Sequence, residues 1–388
     1  MLKVDIMYSS KLACGIMSGT SLDGIDVVLA SISGVGLQTK IEMISGKTFP
    51  YPKDILEKVK LAINNELKVK DISSLNFELG KLYAECVKAL CNEEKIQTSS
   101  LAFIASHGQT VYHQSYKEEG FFPSTLQLGH GSIIAGLTKT TVVYDFRVAD
   151  MAFGGQGAPL VPYVDFILLS SKDKFRVVQN IGGISNITVL PKGQNESEVY
   201  AFDTGPGNMM INRAMEVLYQ ESYDKSGLIA KSGKLIPALY EEILSHPYLK
   251  LEPPKSTGRE QFGVTYTDNL INKYIYEPKA DIVHTITCAT VETMVRAFND
   301  FIKDIHSIDE LIVSGGGVHN QFMMDLLKRK LPKTRIFISD EIELSSDFKE
   351  ALAFIVLGNQ TINHQTGNLT TTTGAKQKAI LGSIALSK

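Results

Sequence analysis

Two related α/β domains are predicted for this chain by three observations. A run of three short strands followed by alternating helices and strands occurs twice. Four glycine-rich turns each follow an apolar, strand-like segment. The length of 388 residues also exceeds the roughly 250–300 at which a single core stops growing.

The elements follow in chain order. Leu12 to Met17, Ile25 to Ile32 and Leu37 to Ile44 are β-branched-rich runs separated by glycine-containing turns, which read as consecutive antiparallel strands. Residues 71 to 92 place Ile72, Leu75, Leu79, Tyr83, Cys86 and Leu90 on one helical face. Leu101 to Ser106 is a buried strand and completes a strand-helix-strand unit. The theme then recurs, with strands near 175–180, 186–190 and 198–203 and a helix from about 207. A long helix around 282–303 aligns Ile282, Ile286, Ala289, Val295, Phe298 and Ile302, and a strand at 309–313 follows it. Gly374 to Leu386 reads as a last helix that can pack on either half. No low-complexity linker separates the halves, so the repeat itself sets the boundary. It gives an N-terminal lobe of residues 1–138 plus 366–388 and a C-terminal lobe of 139–365.

Charge narrows the function. With 39 basic and 42 acidic residues the net charge is −3, which provides no general attraction to nucleic acid or to anionic membrane and leaves small-molecule chemistry as the expectation. Cys14, Cys86, Cys91 and Cys288 form no Cys-x-x-Cys pair and read as reduced core thiols. The apolar run at residues 12–17 is too short for a signal peptide or a membrane span. A cytoplasmic location is expected.

The most informative segment is residues 145–160. Asp145, Arg147 and Asp150 lie directly upstream of Gly154-Gly155-Gln156-Gly157, and glycines beside a polar cluster let backbone come close to a ligand. The other glycine turns are Gly19-Thr20-Ser21-Leu22-Asp23-Gly24, Asn180-Ile181-Gly182-Gly183 and Ser314-Gly315-Gly316-Gly317. Four together point to an enzyme built around phosphates. It is not a P-loop enzyme, because Ile41 stands where Gly46-Lys47-Thr48 would need its first glycine. Gly205-Pro206-Gly207 is not a dinucleotide fingerprint either, since the third glycine would fall at Met210.

The string Gly15-Ile-Met-Ser-Gly-Thr-Ser-Leu-Asp-Gly-Ile-Asp26 resembles the opening signature of the anhydro-N-acetylmuramic acid kinases, within the actin, sugar-kinase and heat-shock-chaperone ATPase superfamily. Ser106-His-Gly-Gln-Thr110, Asn180-Ile-Gly-Gly183, Phe202-Asp-Thr-Gly-Pro-Gly-Asn208, Lys255-Ser-Thr-Gly-Arg-Glu260 and Ser314-Gly-Gly-Gly317 match in the same order, as does the segment around Asp150. The resemblance implies a two-lobed actin/hexokinase-like ATPase fold, a mixed sheet flanked by helices in each lobe, and an active site in the interlobe cleft. It implies ATP and magnesium as cofactors and a homodimer. The implied activity uses ATP and water to open the 1,6-anhydro bridge of a recycled cell-wall sugar and phosphorylate the freed oxygen.

The resemblance makes Asp150 the base that activates water. It assigns ATP to Gly19, Thr20, Ser21, Leu22, Asp23, Gly24, Ile25 and Asp26, to Asn180, Gly182 and Gly183, to Asp203 and Gly205, and to Gly315, Gly316 and Gly317 as the adenosine loop. It assigns the sugar to His107, Gln109, Thr110, Asp145, Arg147, Gln156 and Arg259. Several positions keep two readings. Asp145 and Arg147 either bind substrate or form an ion pair that orders the loop; Asp203 either faces metal-bound phosphates or caps the helix near Pro206. His107 is a sugar contact or a satisfied core histidine, and Arg259 a carboxylate partner or part of a solvated loop. Met17 and Asn180 stand where many superfamily members place aspartate. That leaves Asp23, Asp26 and Asp203 as candidate magnesium ligands, with water completing the shell. The alternative function is a nucleotide-gated ATPase or binding protein on the same fold.

Overall fold

The computed structural model describes residues 9–19, 22–302 and 307–387, which form two compact units. The first comprises residues up to Leu168 together with Phe348 onward, and the second spans Leu169–Asp347. The strands are β1 (Lys11–Ser18), β2 (Ile25–Ser33), β3 (Lys40–Phe49), β4 (Phe103–Gln114), β5 (Ser124–Leu128), β6 (Val142–Tyr144), β7 (Arg176–Ile181), β8 (Ile184–Leu190), β9 (Tyr200–Pro206), β10 (Glu310–Ser314), β11 (Arg335–Ile338) and β12 (Ser383–Ala385).

The first sheet runs β12-β6-β4-β1-β2-β3, with β5 paired to β4. The second runs β11-β10-β7-β8-β9. In each, a meander of three antiparallel strands is extended from its first strand by two parallel ones: β1 pairs in parallel with β4 and β4 with β6, just as β7 does with β10 and β10 with β11. The expected repeat is therefore a duplicated topology. Parallel neighbours need crossovers, and the helix Val69–Glu93 and the helix Lys279–Phe301 provide them.

Central strands covered on both faces have to be apolar throughout. In the first unit Cys14, Ile16, Val27 and Leu29 are buried with Leu75, Leu79, Tyr83 and Val87 of the helix Val69–Glu93. The helix Lys349–Ile362 packs against β1, β2 and β4, and every residue from Ala351 to Thr361 is buried. Contact there is close enough that a Cβ on Gly15 would stand 2.2 Å from the Ala351 carbonyl oxygen. In the second unit Val177, Ile187, Leu311 and Val313 pack with Met210, Ile286, Phe298 and Met323.

Two expectations are corrected. The units divide at Leu168/Leu169 and Asp347/Phe348, whereas the sequence placed the crossings at 138/139 and 365/366. β6 is hydrogen-bonded to β4, and the helix Lys349–Ile362 covers the first sheet, so both belong to the first unit. The tail is not a helix over 374–386. Gly382 takes φ +83°, and Ser383–Ala385 then pairs antiparallel with Tyr144–Val142. Among the described residues no helix is long and apolar enough to cross a membrane. Cys14, Cys86 and Cys91 are buried and Cys288 is half-buried, all as free thiols whose pKa values burial pushes up.

Candidate functional site

In open α/β sheets ligands gather beyond the carboxyl ends of the parallel strands. Within each unit, most of the residues singled out by sequence lie there. In the first unit β1 leads into Gly19, β4 carries His107 to Thr110, and β6 leads into Asp145, Arg147 and Asp150.

Beyond β1, the Leu22 amide donates to the Gly19 carbonyl at 3.3 Å, and Leu22 has φ +62°. Thr20 and Ser21 lie outside the described residues. Asp23 is exposed, while the Asp26 carboxylate accepts from the Thr48 hydroxyl at 2.6 Å. Gly24 and Ile25 are buried, and a Cβ on Gly24 would meet Thr48 at 2.4 Å. Both therefore shape the turn from below. Gln109 is likewise fully buried: its amide accepts from Tyr51 Oη at 2.8 Å and donates to the Gly19 and Thr110 carbonyls at 3.3 and 3.2 Å. It braces the Gly19 turn through these bonds. Thr110 is half-buried and accepts from Gln127 at 3.2 Å.

Asp150 lies on the short helix Val148–Ala152 and is fully buried. Its Oδ1 accepts from Asn368 Nδ2 at 2.6 Å and from Thr373 Oγ1 at 2.7 Å, and its Oδ2 accepts from the Gly157 amide at 2.8 Å. The glycine turn wraps the carboxylate. A Cβ on Gly155 would stand 2.2 Å from Asp150 Oδ2, so only glycine fits there without displacing it. The turn is pinned to the tail, the Gln156 amide donating to Thr373 at 2.7 Å and the Lys376 amide to Phe153 at 3.0 Å. The Gln156 side chain itself is exposed. Nothing in the sequence pointed to Asn368 or Thr373, which lie more than two hundred residues downstream.

Arg147 does not pair with Asp145. It donates from Nε and Nη2 to His107 Nε2 at 3.2 and 2.8 Å and from Nη1 to the Gly157 carbonyl at 2.8 Å. Two donors on one ring nitrogen require that nitrogen to be unprotonated. Burial, followed by Arg147, accordingly drives the His107 pKa down to about 3, while the Ser18 and Gly108 backbone opposes the shift. Burial lowers the Arg147 pKa to about 10, with Glu350 opposing. Asp145 takes the left-handed φ of +58°, a conformation non-glycine residues hold chiefly at functional sites and turns, and burial raises its pKa. Glu350, at the start of the helix Lys349–Ile362, was not singled out by sequence. Its pKa is raised by surrounding protein and by Asp26 and Asp23, while Arg147 holds it down. The signal for it was weak, a lone glutamate opening an apolar helix.

In the second unit the turns after β7 and β10 adjoin, because those strands are parallel neighbours. Gly183 and Gly316 are exposed at the tips, whereas Gly317 packs beneath Ile181, with 2.3 Å from a hypothetical Cβ to that side chain. Gly315 has φ +81° and lies against Asn180, whose Oδ1 accepts from Ser314 at 3.4 Å. The Gly182 and Gly183 carbonyls accept from the Asn208 and Met209 amides at 2.8 and 3.1 Å, tying the β7–β8 turn to the helix Asn208–Tyr219.

Asp203 does not cap that helix. Its Oδ2 accepts from the Thr257 amide at 2.9 Å and its own amide donates to the Lys255 carbonyl at 3.1 Å, a two-point clasp on the 255–260 segment. Burial raises its pKa to about 6, with Thr257 and Lys255 opposing and Glu260 adding. Lys255 sits over the Phe301 ring at 4.4 Å and the Tyr248 ring at 5.0 Å. Gly205 is buried against Leu249 and Thr293 with φ +139°, so it shapes the bend of β9. Arg259 is exposed at the start of the helix Arg259–Phe262 and lies in the second unit, whereas the other candidate sugar residues lie in the first. Among the described residues no group of three or more His, Cys, Asp or Glu side chains could hold a metal ion.

The site thus lies on a mixed α/β architecture in which each unit carries a five-strand core of the same topology with glycine turns beyond its parallel strands. The chain belongs to the anhydro-N-acetylmuramic acid kinase family, whose model matches residues 11–387. A relative from Francisella tularensis subsp. novicida is 49% identical over 379 residues, covering 97% of this chain and 99% of the relative. One from Clostridioides difficile is 47% identical, with 97% and 98% covered, and one from Bacillus thuringiensis subsp. konkukian is 46% identical, with 95% and 98% covered. All three are named anhydro-N-acetylmuramic acid kinase.

Proposed function

We propose that the chain is an ATP-dependent kinase that hydrolytically opens 1,6-anhydro-N-acetylmuramic acid and phosphorylates O6, giving N-acetylmuramic acid 6-phosphate and ADP. The observation that carries this reading is Asp150, a buried carboxylate aimed by three donors beside a glycine turn. Opening the anhydro bridge needs a base aimed at water beside the anomeric carbon, whereas nucleotide hydrolysis needs water held in line with the γ-phosphorus.

Bond making and breaking balance as follows. Water forms a bond to the anomeric carbon as the bond from that carbon to O6 breaks, and Asp150 takes the proton that water loses. O6 bonds to the γ-phosphorus, whose bond to the bridging oxygen breaks and releases ADP. Arg147, its fork held on neutral His107, keeps one N–H on each terminal nitrogen for the sugar, and the exposed Gln156 side chain adds a second polar contact. Gly183 and Gly316 leave backbone open to phosphates and adenosine.

Magnesium, when bound, neutralises charge on the phosphates. Such an ion is held largely by phosphate oxygens and water with one or two carboxylates, for which Asp23 and Asp26 in the first unit and Asp203 in the second are the candidates. The family resemblance also supports a cytoplasmic homodimer acting on a small amino sugar. Incubation with ATP, magnesium and the anhydro sugar should give a product heavier by one water and one phosphoryl group. Recovery of unchanged sugar would refute the activity.

A further inference from the structure

We propose that Asn368 and Thr373 are positioning residues for Asp150, and that they assign the proton of the attacking water to Asp150 Oδ2. The inference rests on Asp150 as the base. A carboxylate oxygen offers about two lone-pair sites. Both sites of Oδ1 are filled, by Asn368 Nδ2 at 2.6 Å and Thr373 Oγ1 at 2.7 Å. Among the described residues Oδ2 accepts only the Gly157 amide, at 2.8 Å, which leaves one lone pair for water's proton. Although Asp150 is buried, Gly155 sets no side chain against that oxygen, where any Cβ would stand 2.2 Å from it.

The donors are themselves fixed. Asn368 Oδ1 accepts from the Ala379 amide at 2.7 Å, so the amide group of its side chain has one orientation, with nitrogen toward Asp150. Thr373 is fully buried, and its carbonyl accepts from the Gln156 amide at 2.7 Å. One residue therefore ties both the base and the glycine turn to the tail. Losing such an anchor lets the carboxylate rotate, and misplacement by about 1 Å can cost on the order of a hundredfold in rate.

The test is steady-state kinetics of the full-length protein with ATP, magnesium and anhydro sugar. Thr373→Val should lower kcat by about ten- to a hundredfold, leave KM for the sugar and affinity for a non-hydrolysable ATP analogue within about twofold, and be rescued by Thr373→Ser, which restores the hydroxyl. Asn368→Asp keeps the shape but turns an acceptor on Asp150 and should show the same split. It also carries the test if Thr373→Val does not fold. Unchanged kcat in a folded Thr373→Val or Asn368→Asp protein, or equal damage from Thr373→Ser and Thr373→Val, would overturn the proposal. Asp150→Asn is the control that separates the two readings. Normal turnover in it removes the base itself, whereas a dead Asp150→Asn beside a normal Thr373→Val removes only the positioning role.

Discussion

A carboxylate with three donors and no exposed surface is a costly arrangement unless its geometry is used, because burying a charge is unfavourable without complete pairing. Asp150→Asn should therefore keep the fold and nucleotide affinity while losing at least ~100-fold in turnover, the lower end of what a general base contributes. Product mass against time gives the readout, and near-normal turnover would exclude Asp150 from the chemistry. His107 makes a second prediction. The unfolded chain binds a proton on this ring near pH 6.5, but the folded protein refuses it until about 3. Between those values the unfolded state holds more protons, so stability falls as pH drops, by about 2 kcal/mol between pH 7 and 5 from this group alone. His107→Gln keeps an acceptor for Arg147 and removes the titration. Its thermal midpoint should fall less than that of the wild type between pH 7 and 5, and equal falls would mean that the ring is not held neutral. Asp150 and Arg147 were legible as residues, but their partners were not: Asp145 was the obvious neighbour in sequence, whereas the Arg147 fork turns to a strand forty residues upstream.

Strands and turns were the more legible scale. β1, β2, β7, β8, β9 and β10 lie within a few residues of the expected runs, because buried strands need continuous apolar segments, whereas β4 runs on to Gln114, past its expected end at Ser106. β3 starts three residues late, since Gly36–Gln38 close a tight 3-10 turn first. The tail failed for a different reason. Ala375, Ile380, Leu381 and Leu386 look helical in a local window, yet β6 has an open edge there and Gly382 turns the chain to fill it. A sequence window does not contain that partner. The glycine turns carry a prediction that sequence alone could not divide. Gly316→Val should fold and weaken binding of an ATP analogue, because space around its Cβ is open, the nearest atom being Asn208 Nδ2 at 3.7 Å. Gly317→Val should instead lower the thermal midpoint, since its Cβ would stand 2.3 Å from Ile181. Unchanged analogue affinity in Gly316→Val, measured by calorimetric titration, would make this turn structural only.

At the scale of the whole molecule, a duplicated fold does not choose between a kinase and a nucleotide-gated ATPase, since one architecture hosts both. The path of a solvent oxygen does choose. A kinase that opens the anhydro bridge delivers water to the anomeric carbon and moves the γ-phosphoryl group to O6 without adding solvent to it. An ATPase delivers solvent to phosphorus. In water enriched in heavy oxygen, the label should be at the anomeric position, read promptly because reducing sugars exchange there slowly, and absent from the phosphoryl group. ADP formation should depend on the sugar, because the nucleophile toward phosphorus is the oxygen released when Asp150 activates water, and without it nothing stands in line. Asp150→Asn should suppress label in the sugar and ADP together, as one base serves both bond changes. Labelled inorganic phosphate accumulating at the same rate with and without sugar would make the protein a nucleotide-gated ATPase.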